Sequence, residues 1–495
     1  MANRSPLESA IIEKFSWILV CISRSLLFSA IAMKISVYLL LLLQLSVLST
    51  EPKNLYAYEF DASTKPNIVY FLVDDLGYAD CGFNGTDIKT PNIDKLANAG
   101  AILKSFYVQP VCSPTRAALM TGRYATHTGV YNVVRPGAPW GLPLAERLLP
   151  QALKEAGYKT AICGKWHLGE FEPVYKPMQR GFDHQYGHMF GALDYFTHIR
   201  DGKPDWYRDD MPIVEEGYTT NLIAKEACRL IKENSSDKPL FLYVPFNGIH
   251  GPHQVPESYT EPYKDLPKLR QTIAGMLSAV DEAIGQITAA LVESGLRENT
   301  LIIFSSDNGG PAPGKATMNT PLRAGKGTIY EGGVRVCAFA NWPGRIQAGI
   351  TVKEPMHAVD WYPTLVKLVG AKANQELQPD GIDIWPMLTQ SKKSPRDAIL
   401  LVGNKLGESA IRMGDWKLLL SPSDKGADEQ SAGEKASGKI ELYNLEEDIA
   451  ESTNLAQSQP EKVNAMRARL DAMLKNAVAP GDTTRDPKST TKKKK

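Results

Sequence analysis

The stretch NIVYFLVDD, Asn67 to Asp75, decides the fold class. Ile68–Val73 is an unbroken apolar run rich in β-branched and aromatic side chains, and it stops on two aspartates. A run of that length without polar alternation is the pattern of a strand covered on both faces. Three further segments repeat it. TAIC (Thr160–Cys163) runs into GKWHLG, PLFLYVPF (Pro239–Phe246) into NGIHGPH, and TLIIFSS (Thr300–Ser306) into DNGG. Helical spacing lies between them. Gln271–Leu296 aligns Ile273, Leu277, Val280, Ile284, Ile287 and Leu291, and LAERLLPQALKEAGY (Leu144–Tyr158) is stopped by Gly157. Strands alternating with helices predict an α/β fold whose mostly parallel sheet is sandwiched by helices. Ligands of such sheets bind beyond the carboxyl ends of the strands. Each of the four ends carries groups suited to a metal or an anion: Asp74 and Asp75, Lys165 and His167, His250, and Asp307 with Asn308.

The rest of the chain bounds what such a site can serve. Among 495 residues, Lys+Arg total 56 against Asp+Glu 55, so no global field recruits nucleic acid or an anionic surface. An anionic ligand must therefore be held by a local cluster of cations. Met33-Lys34 precedes ISVYLLLLLQLSVLS, the n-region and h-region of a secretory signal. Residues 1–57 are read as a targeting segment, with Met33 as a candidate true start. The apolar run is too short for a stable membrane anchor, so the expected location is exported: periplasmic, secreted or lysosome-like according to source. The cysteines are Cys21, Cys81, Cys112, Cys163, Cys228 and Cys337. Removing the signal leaves five, an odd number, so one thiol stands outside any disulfide scheme. No CxxC spacing supports zinc. Pairing among Cys81, Cys163, Cys228 and Cys337 stays open.

Past about residue 390 the texture changes. SAIRMGDWKLLL and KIELYNLEED read as short amphipathic strands around a polar loop, Ser421–Gly438, and a helix follows over Glu461–Ala477. The expected layout is a main domain over 64–390, a small C-terminal α+β unit over 391–478, and a disordered basic tail over 479–495.

VCSPTRAALMTGR (Val111–Arg123) poses a separate question. Pro114 fits the first helical position, which puts Cys112 at or just before a helix N-terminus, where free N–H groups favour negative charge. A thiolate nucleophile needs an adjacent base, and no local histidine supplies one. Arg116 comes too soon for a Cys-x5-Arg phosphatase loop. The aspartates and Asn308 offer oxygen donors, which suit calcium or magnesium. Lys165, His167, His250, Lys326 and Arg323 beside such an ion form a device for holding an anion whose charge develops on oxygen. His127, His184, His188, His198 and His357 are left as structural or unassigned, and His253 as a weaker candidate beside the site.

CSPTRAALMTGR resembles the sulfatase signature C-x-P-x-R followed by Thr-Gly-Arg. The resemblance continues from about Pro66 to Leu420 through NIVYFLVDDLG, GKWHLG, RGFDHQYG, DNGG, EGGVR, HAVDWYPTLVKLVG and DGIDIWPML, in that order. IHGPHQVP, DWYPTLVKL and AIRMGDWKLL are similar to the arylsulfatase B, or N-acetylgalactosamine-4-sulfatase, branch of the family.

The resemblance implies a large alkaline-phosphatase-like α/β domain with a small C-terminal α+β domain. It implies that Cys112 is converted to Cα-formylglycine by a formylglycine-generating or related sulfatase-maturing enzyme. Asp74, Asp75, Asp307, Asn308 and the formylglycine at 112 would hold one calcium ion. The hydrated aldehyde, activated by calcium and a neighbouring aspartate (Asp307 is the choice), would attack sulfur. Lys165, Lys326 and His250 would bind the sulfate oxygens. His250, with Lys326, would protonate the leaving alkoxide, while His167 and Arg116 position the diol. A sulfate on a hydrated aldehyde leaves by elimination, whereas a serine sulfate needs a second displacement; that gives the cysteine a purpose.

The implied substrate is a sulfated carbohydrate, a terminal 4-sulfate of N-acetylgalactosamine or galactose, with an algal galactan as the alternative. A phosphoester or phosphonate hydrolase of the same fold is disfavoured because Cys112 is not replaced by Ser or Thr. A catalytically dead glycan-binding protein is disfavoured because every polar site residue is present. MNTPLRAGKGTIYEGG, without tryptophan, and EFEPVYKPMQ depart from the arylsulfatase B pattern in loops that would line the sugar pocket.

Overall fold

The computed structural model describes residues 65–85, 87–234, 238–372, 375–403, 407–422 and 438–481. The targeting segment, most of the Ser421–Gly438 loop and most of the basic tail lie outside the described residues. The large sheet is built from β1 (Asn67–Val73), β2 (Ala101–Leu103), β3 (Lys159–Lys165), β4 (His184–His188), β5 (Tyr207–Arg208), β6 (Met211–Pro212), β7 (Leu240–Pro245), β8 (Thr300–Ser306), β9 (Ala338–Asn341) and β10 (Ile350–Val352). Their spatial order is β10-β2-β9-β8-β1-β7-β3-β4-β5-β6. The five central strands, β8 to β4, run parallel, and antiparallel pairings occur toward both edges. The four strands read from sequence are thus the neighbours β8, β1, β7 and β3.

Every residue of β1, β7 and β8 is buried, which is why they read as continuous apolar runs. Alternate side chains of β1 serve opposite layers. Val69, Phe71 and Val73 share a core with helices spanning Thr219–Lys232 and Lys268–Glu293. Tyr70 points the other way and meets Trp361 edge-on, with ring centroids 6.3 Å apart. Register then fixes the site. Val73 pairs with Ser306, so Asp74 and Asp307 leave the sheet at the same level.

The expected helices form with shifted ends. Gln271–Leu296 becomes Lys268–Glu293, which follows Pro267 and ends just before Gly295 at φ +68°. Leu144–Tyr158 shrinks to Leu149–Glu155, because Pro150 has no N–H to donate to an earlier turn and fits only the first. Glu461–Ala477 becomes Pro460–Leu474. No described helix is long and apolar enough to cross a membrane.

The C-terminal sheet is antiparallel, with β11 (Ile399–Val402), β12 (Ser409–Met413), β13 (Trp416–Ser421) and β14 (Lys439–Asn444) in sequence order. The amphipathic patterns predict β12, β13 and β14, and the structure adds ILLV as a fourth strand. This sheet is buried on both sides. Leu400, Val402 and Ile411 pack with Ala118, Tyr124 and Ala125, and the Pro460–Leu474 helix adds Met466 and Leu470. Ile399, Leu401 and Leu419 pack with Tyr107, Ile329 and Val334.

Candidate active site

The helix carrying Cys112 spans Cys112–Thr121, so Pro114 stands at its third position rather than its first. All ten of its residues are buried. Its first turn points at the strand ends, and Ala118, farther along, belongs to the core under the C-terminal sheet. Cys112 Sγ donates to Asp74 Oδ1 at 3.6 Å. Burial, followed by the Asp74 charge, pushes its thiol up to about 12. A thiol so poor at ionising is no nucleophile at neutral pH. The five described cysteines, Cys112 included, are unpaired.

Asp74, Asp75, Cys112 and His250 each offer a ligand atom, and these atoms lie within 4.8 Å of one another. Asp307 and Asn308 sit beside them, fully buried. Asp75 N–H donates to Asp307 Oδ1 at 3.3 Å, and Asn308 Nδ2 donates to Asp75 Oδ1 at 2.8 Å. Asn308 Oδ1 is buried with no partner among the described residues. A buried amide oxygen left without a donor costs about 1–3 kcal/mol unless something else satisfies it. Three carboxylates and this oxygen fit a hard, oxygen-loving cation.

Three permanent cations face the three carboxylates. Arg116, one helical turn beyond Cys112, donates from Nε and Nη2 to Asp307 Oδ2 at 3.1 and 2.8 Å, from Nη2 to Asp74 Oδ2 at 3.4 Å, and from Nη1 to the Lys165 carbonyl at 3.0 Å. Lys165 Nζ, fully buried, pairs with Asp74 Oδ2. Lys326 Nζ lies 2.6 Å from Asp75 Oδ1. Burial works against the Asp74 charge, but Lys165, His250 and Arg116 outweigh it and hold the carboxyl below its ordinary value. Lys326 is likewise held charged: burial opposes its charge, and Cys112 together with Asp75, Asp74 and Asp307 outweighs burial.

His250 Nδ1 lies 2.7 Å from the Gly251 carbonyl. A carbonyl only accepts, so Nδ1 carries a proton and Nε2, 3.8 Å from Asp75 Oδ2, is the nitrogen turned to the site. The His250 and Lys326 side chains are 25% and 20% exposed, while those of Asp74, Lys165 and Arg116 are at 0%, so the mouth of the site is on the His250–Lys326 side. His167 adopts φ +59° at the end of β3, and burial with Lys165 and Arg116 pushes its imidazole well below the ordinary range.

One sequence assignment changes and a second gains a rival. Arg323 does not join Lys326 as an anion-holding cation; its guanidinium donates to Tyr443 Oη at 3.0 Å and the Glu451 carbonyl at 2.7 Å, in the C-terminal unit. Asp307, chosen as the activating carboxylate, has Oδ2 engaged by Arg116, and the carboxylate oxygen at residue 112 is Asp74 Oδ1. His127, His184 and His198 pair elsewhere, with Asp380, with Asp209 and Glu226, and with the Gly217 carbonyl. His357 is a buried turn cap. His188 ends β4 directly across from Lys165, buried behind the site.

Three supporting residues carried no sequence signal. Tyr195 Oη lies 2.7 Å from both the Asn247 and His250 carbonyls. Asp205 accepts from Met189 and Phe190 N–H at 2.9 Å each, in the segment whose Met189 carbonyl takes the His167 N–H. Gly191 lies close against Cε1 and Nε2 of the His167 ring.

Comparison with known proteins agrees with this geometry. The family model described as Sulfatase matches residues 66–371. Arylsulfatase J of Mus musculus is 36% identical over 471 residues, covering 86% of this chain and 79% of that protein. N-acetylgalactosamine-6-sulfatase of Mus musculus is 34% identical over 387 residues, covering 72% of each. Among solved structures, Ps i-CgsB in complex with k-i-k-neocarrahexaose superposes with a TM-score of 0.77 at 33% identity, covering 85% of this chain and 96% of that one. With four parallel strand ends delivering the expected acid and base groups around Cys112, and a family model covering most of the chain, this protein belongs to the sulfatase family and is a sulfuric ester hydrolase.

Proposed function

We propose that the enzyme removes sulfate from a sulfated carbohydrate, using Cα-formylglycine made from Cys112 and one calcium ion held by Asp74, Asp75, Asp307, Asn308 and residue 112. The observation that carries this reading is the cluster itself. Cys112 is an inert thiol set 3.6 Å from Asp74 among oxygen donors and permanent cations, a poor place for a thiol and a good one for its oxidised product. Calcium there would withdraw charge from sulfate oxygens and ease ionisation of a hydroxyl on residue 112. The aldehyde would supply, once hydrated, two hydroxyls on one carbon, one to take up sulfate and one to expel it.

The chain's own groups do the rest. Asp74 Oδ1, already the acceptor for residue 112, takes the proton of the attacking hydroxyl. Lys165 and Lys326 neutralise sulfate oxygens, and buried ammonium groups act strongly there because no water screens them. His250 holds a proton on Nε2 at the mouth of the site and gives it to the departing sugar oxygen. Arg116 fixes the two carboxylates Asp74 and Asp307. His167, neutral, orients residue 112. A formylglycine-generating or related enzyme acts first, and an exported location fits the leader read in residues 1–57.

For the sugar, a terminal 4-sulfate of N-acetylgalactosamine or galactose is the first reading. A sulfated galactan of algal type is the second, favoured by likeness to a structure solved with k-i-k-neocarrahexaose. The test is a sulfate-release screen over defined sulfated mono- and oligosaccharides, using protein co-expressed with a maturing enzyme. Cys112→Ala should abolish release while the fold persists. The Val111–Arg116 peptide of active protein should carry an aldehyde by mass. Full activity with an intact thiol sinks the mechanism, and release only from galactan fragments selects the second substrate.

A further inference from the structure

The loop that carries Lys326 is gripped from behind by the C-terminal unit. Lys417, on β13, is fully buried, with Nζ 2.8 Å from Glu331 Oε1 and 3.0 Å from Glu451 Oε1. Glu451 Oε2 accepts the Glu331 N–H at 2.7 Å. Tyr330 Oη donates to Glu441 Oε2 at 2.7 Å, and Arg323 reaches Tyr443 and Glu451 as described. Glu331 Oε2 also accepts from Tyr107 Oη at 2.6 Å and Arg335 Nη1 at 3.3 Å.

The turn fixed by Glu331 touches the loops of the active site. Gly332 N–H donates to the Arg323 carbonyl at 2.8 Å, and Gly309 N–H, next to Asn308, donates to the Gly333 carbonyl at 3.0 Å. There is no slack between them. A Cβ on Gly309 would lie 1.7 Å from the Gly332 carbonyl oxygen, and one on Gly332 would lie 2.4 Å from those of Arg323 and Ala324. Lys326 N–H donates to the Gly310 carbonyl at 3.3 Å, and Gly327 N–H to the Pro110 carbonyl at 2.8 Å, two residues before Cys112. A shift of the Glu331–Gly333 turn is therefore passed to Lys326 and to the Asp307–Asn308 end of β8.

Holding this turn with a buried lysine is costly, because apolar residues of similar volume would often fold the unit as well. What a charge shared by Glu331 and Glu451 adds is direction: the turn can sit in one place only. We propose that Lys417 and Glu451 are positioning residues for sulfate hydrolysis, clamping the Glu331–Gly333 turn so that Lys326 and the Asp307–Asn308 pair stand in working geometry. The proposal rests on the active-site reading given above, and makes the C-terminal sheet part of the catalytic apparatus although it touches no reacting atom.

The test uses the full chain in two forms. On matured enzyme, kcat and KM are measured per aldehyde-bearing, folded molecule for Lys417→Met, Lys417→Arg and Glu451→Gln. On unmatured protein, calcium affinity is measured by titration calorimetry, which needs no turnover. Lys417→Met should lower kcat by roughly tenfold to a hundredfold, the scale of a misplacement near 1 Å, with a smaller change in KM. Calcium should bind roughly tenfold or more weakly, as when a group supporting a ligand is removed. Lys417→Arg should restore most of both. Glu451→Gln, which keeps an acceptor for the Glu331 N–H, should lie between, and decides the matter if Lys417→Met does not fold. The clamp is overturned if these variants lower the urea midpoint while kcat per folded molecule and calcium affinity stay within about twofold of the parent. A parent that binds calcium but releases no sulfate counts against the proposed reaction, and the calcium titration still decides the clamp.

Discussion

Gly191→Ala tests whether His167 works where the structure puts it. The backbone at Gly191 is ordinary, so the substitution acts through its methyl alone. That methyl would lie 2.6 Å from both Cε1 and Nε2 of His167, against 3.4 Å for an ordinary contact. The ring must therefore withdraw by about 3.4 − 2.6 = 0.8 Å. It cannot do so by moving its backbone: His167 N–H is bound to the Met189 carbonyl at 3.0 Å, and its own carbonyl accepts from Ser113 Oγ at 2.8 Å. The imidazole itself has to swing away from Gly191. Overpacking of this kind costs about 1–3 kcal/mol in stability, and a displacement near 1 Å in an active site costs up to about a hundredfold in rate. The assay is kcat on matured enzyme at a temperature where circular dichroism shows full folding. It is run in parent and His167→Ala backgrounds. Gly191→Ala should slow the parent severely and the His167→Ala enzyme hardly at all, since the clash is then gone. Equal slowing in both backgrounds refutes the reasoning, and so does no slowing in the parent.

Asp307→Ala should remove calcium binding and sulfate release together; tight calcium retained by that variant would show the donor set to be wrong. Free sulfate should bind unmatured protein measurably only when calcium is present, and equal binding in a chelator would separate the anion site from the metal. Glu331 supplies a pH dependence. Burial opposes its charge, but Lys417, Arg335 and Arg412 outweigh it and hold the carboxyl at about 2, below its ordinary 4.5. A depressed carboxyl stabilises the fold above 4.5, and that contribution is lost as pH falls from there through 2. Glu451, pushed up by burial, offsets part of it. Urea midpoints should drop over this window, and Glu331→Gln should flatten the drop; an unchanged acid limb would remove Glu331 from the account.

The site was legible because its chemistry sits at the ends of buried parallel strands, the one kind of strand that announces itself as a solid apolar run. The residues following β1, β3, β7 and β8 could be named without knowing strand order. Register could not be read, yet it is what brings Asp74 level with Asp307. Strand ILLV is also a solid apolar run, but at four residues it is too short to be told from a buried helical segment by pattern alone. Tyr195 and Asp205 were invisible for a different reason: their partners are backbone groups, and backbone carries no residue type.

Arg323 and Lys326 mark the sharper limit. Three residues apart in one loop and both basic, they read as a pair in sequence. The structure sends them in opposite directions, Lys326 to Asp75 and Arg323 to Tyr443 and Glu451. Charge balance explains why both are tolerated. Asp74, Asp75 and Asp307 are matched by Arg116, Lys165 and Lys326, three against three. A fourth fixed cation would leave the empty site positive and would compete with a divalent ion for its carboxylates. With three, a metal of charge +2 would make the site positive by the amount that a released sulfate dianion cancels. Counting these fixed charges alone, the site would balance both when empty and when holding a divalent metal with sulfate, so neither state would strand them in the protein interior. Turning Arg323 outward keeps that balance and, in the same stroke, ties the Lys326 loop to the C-terminal sheet.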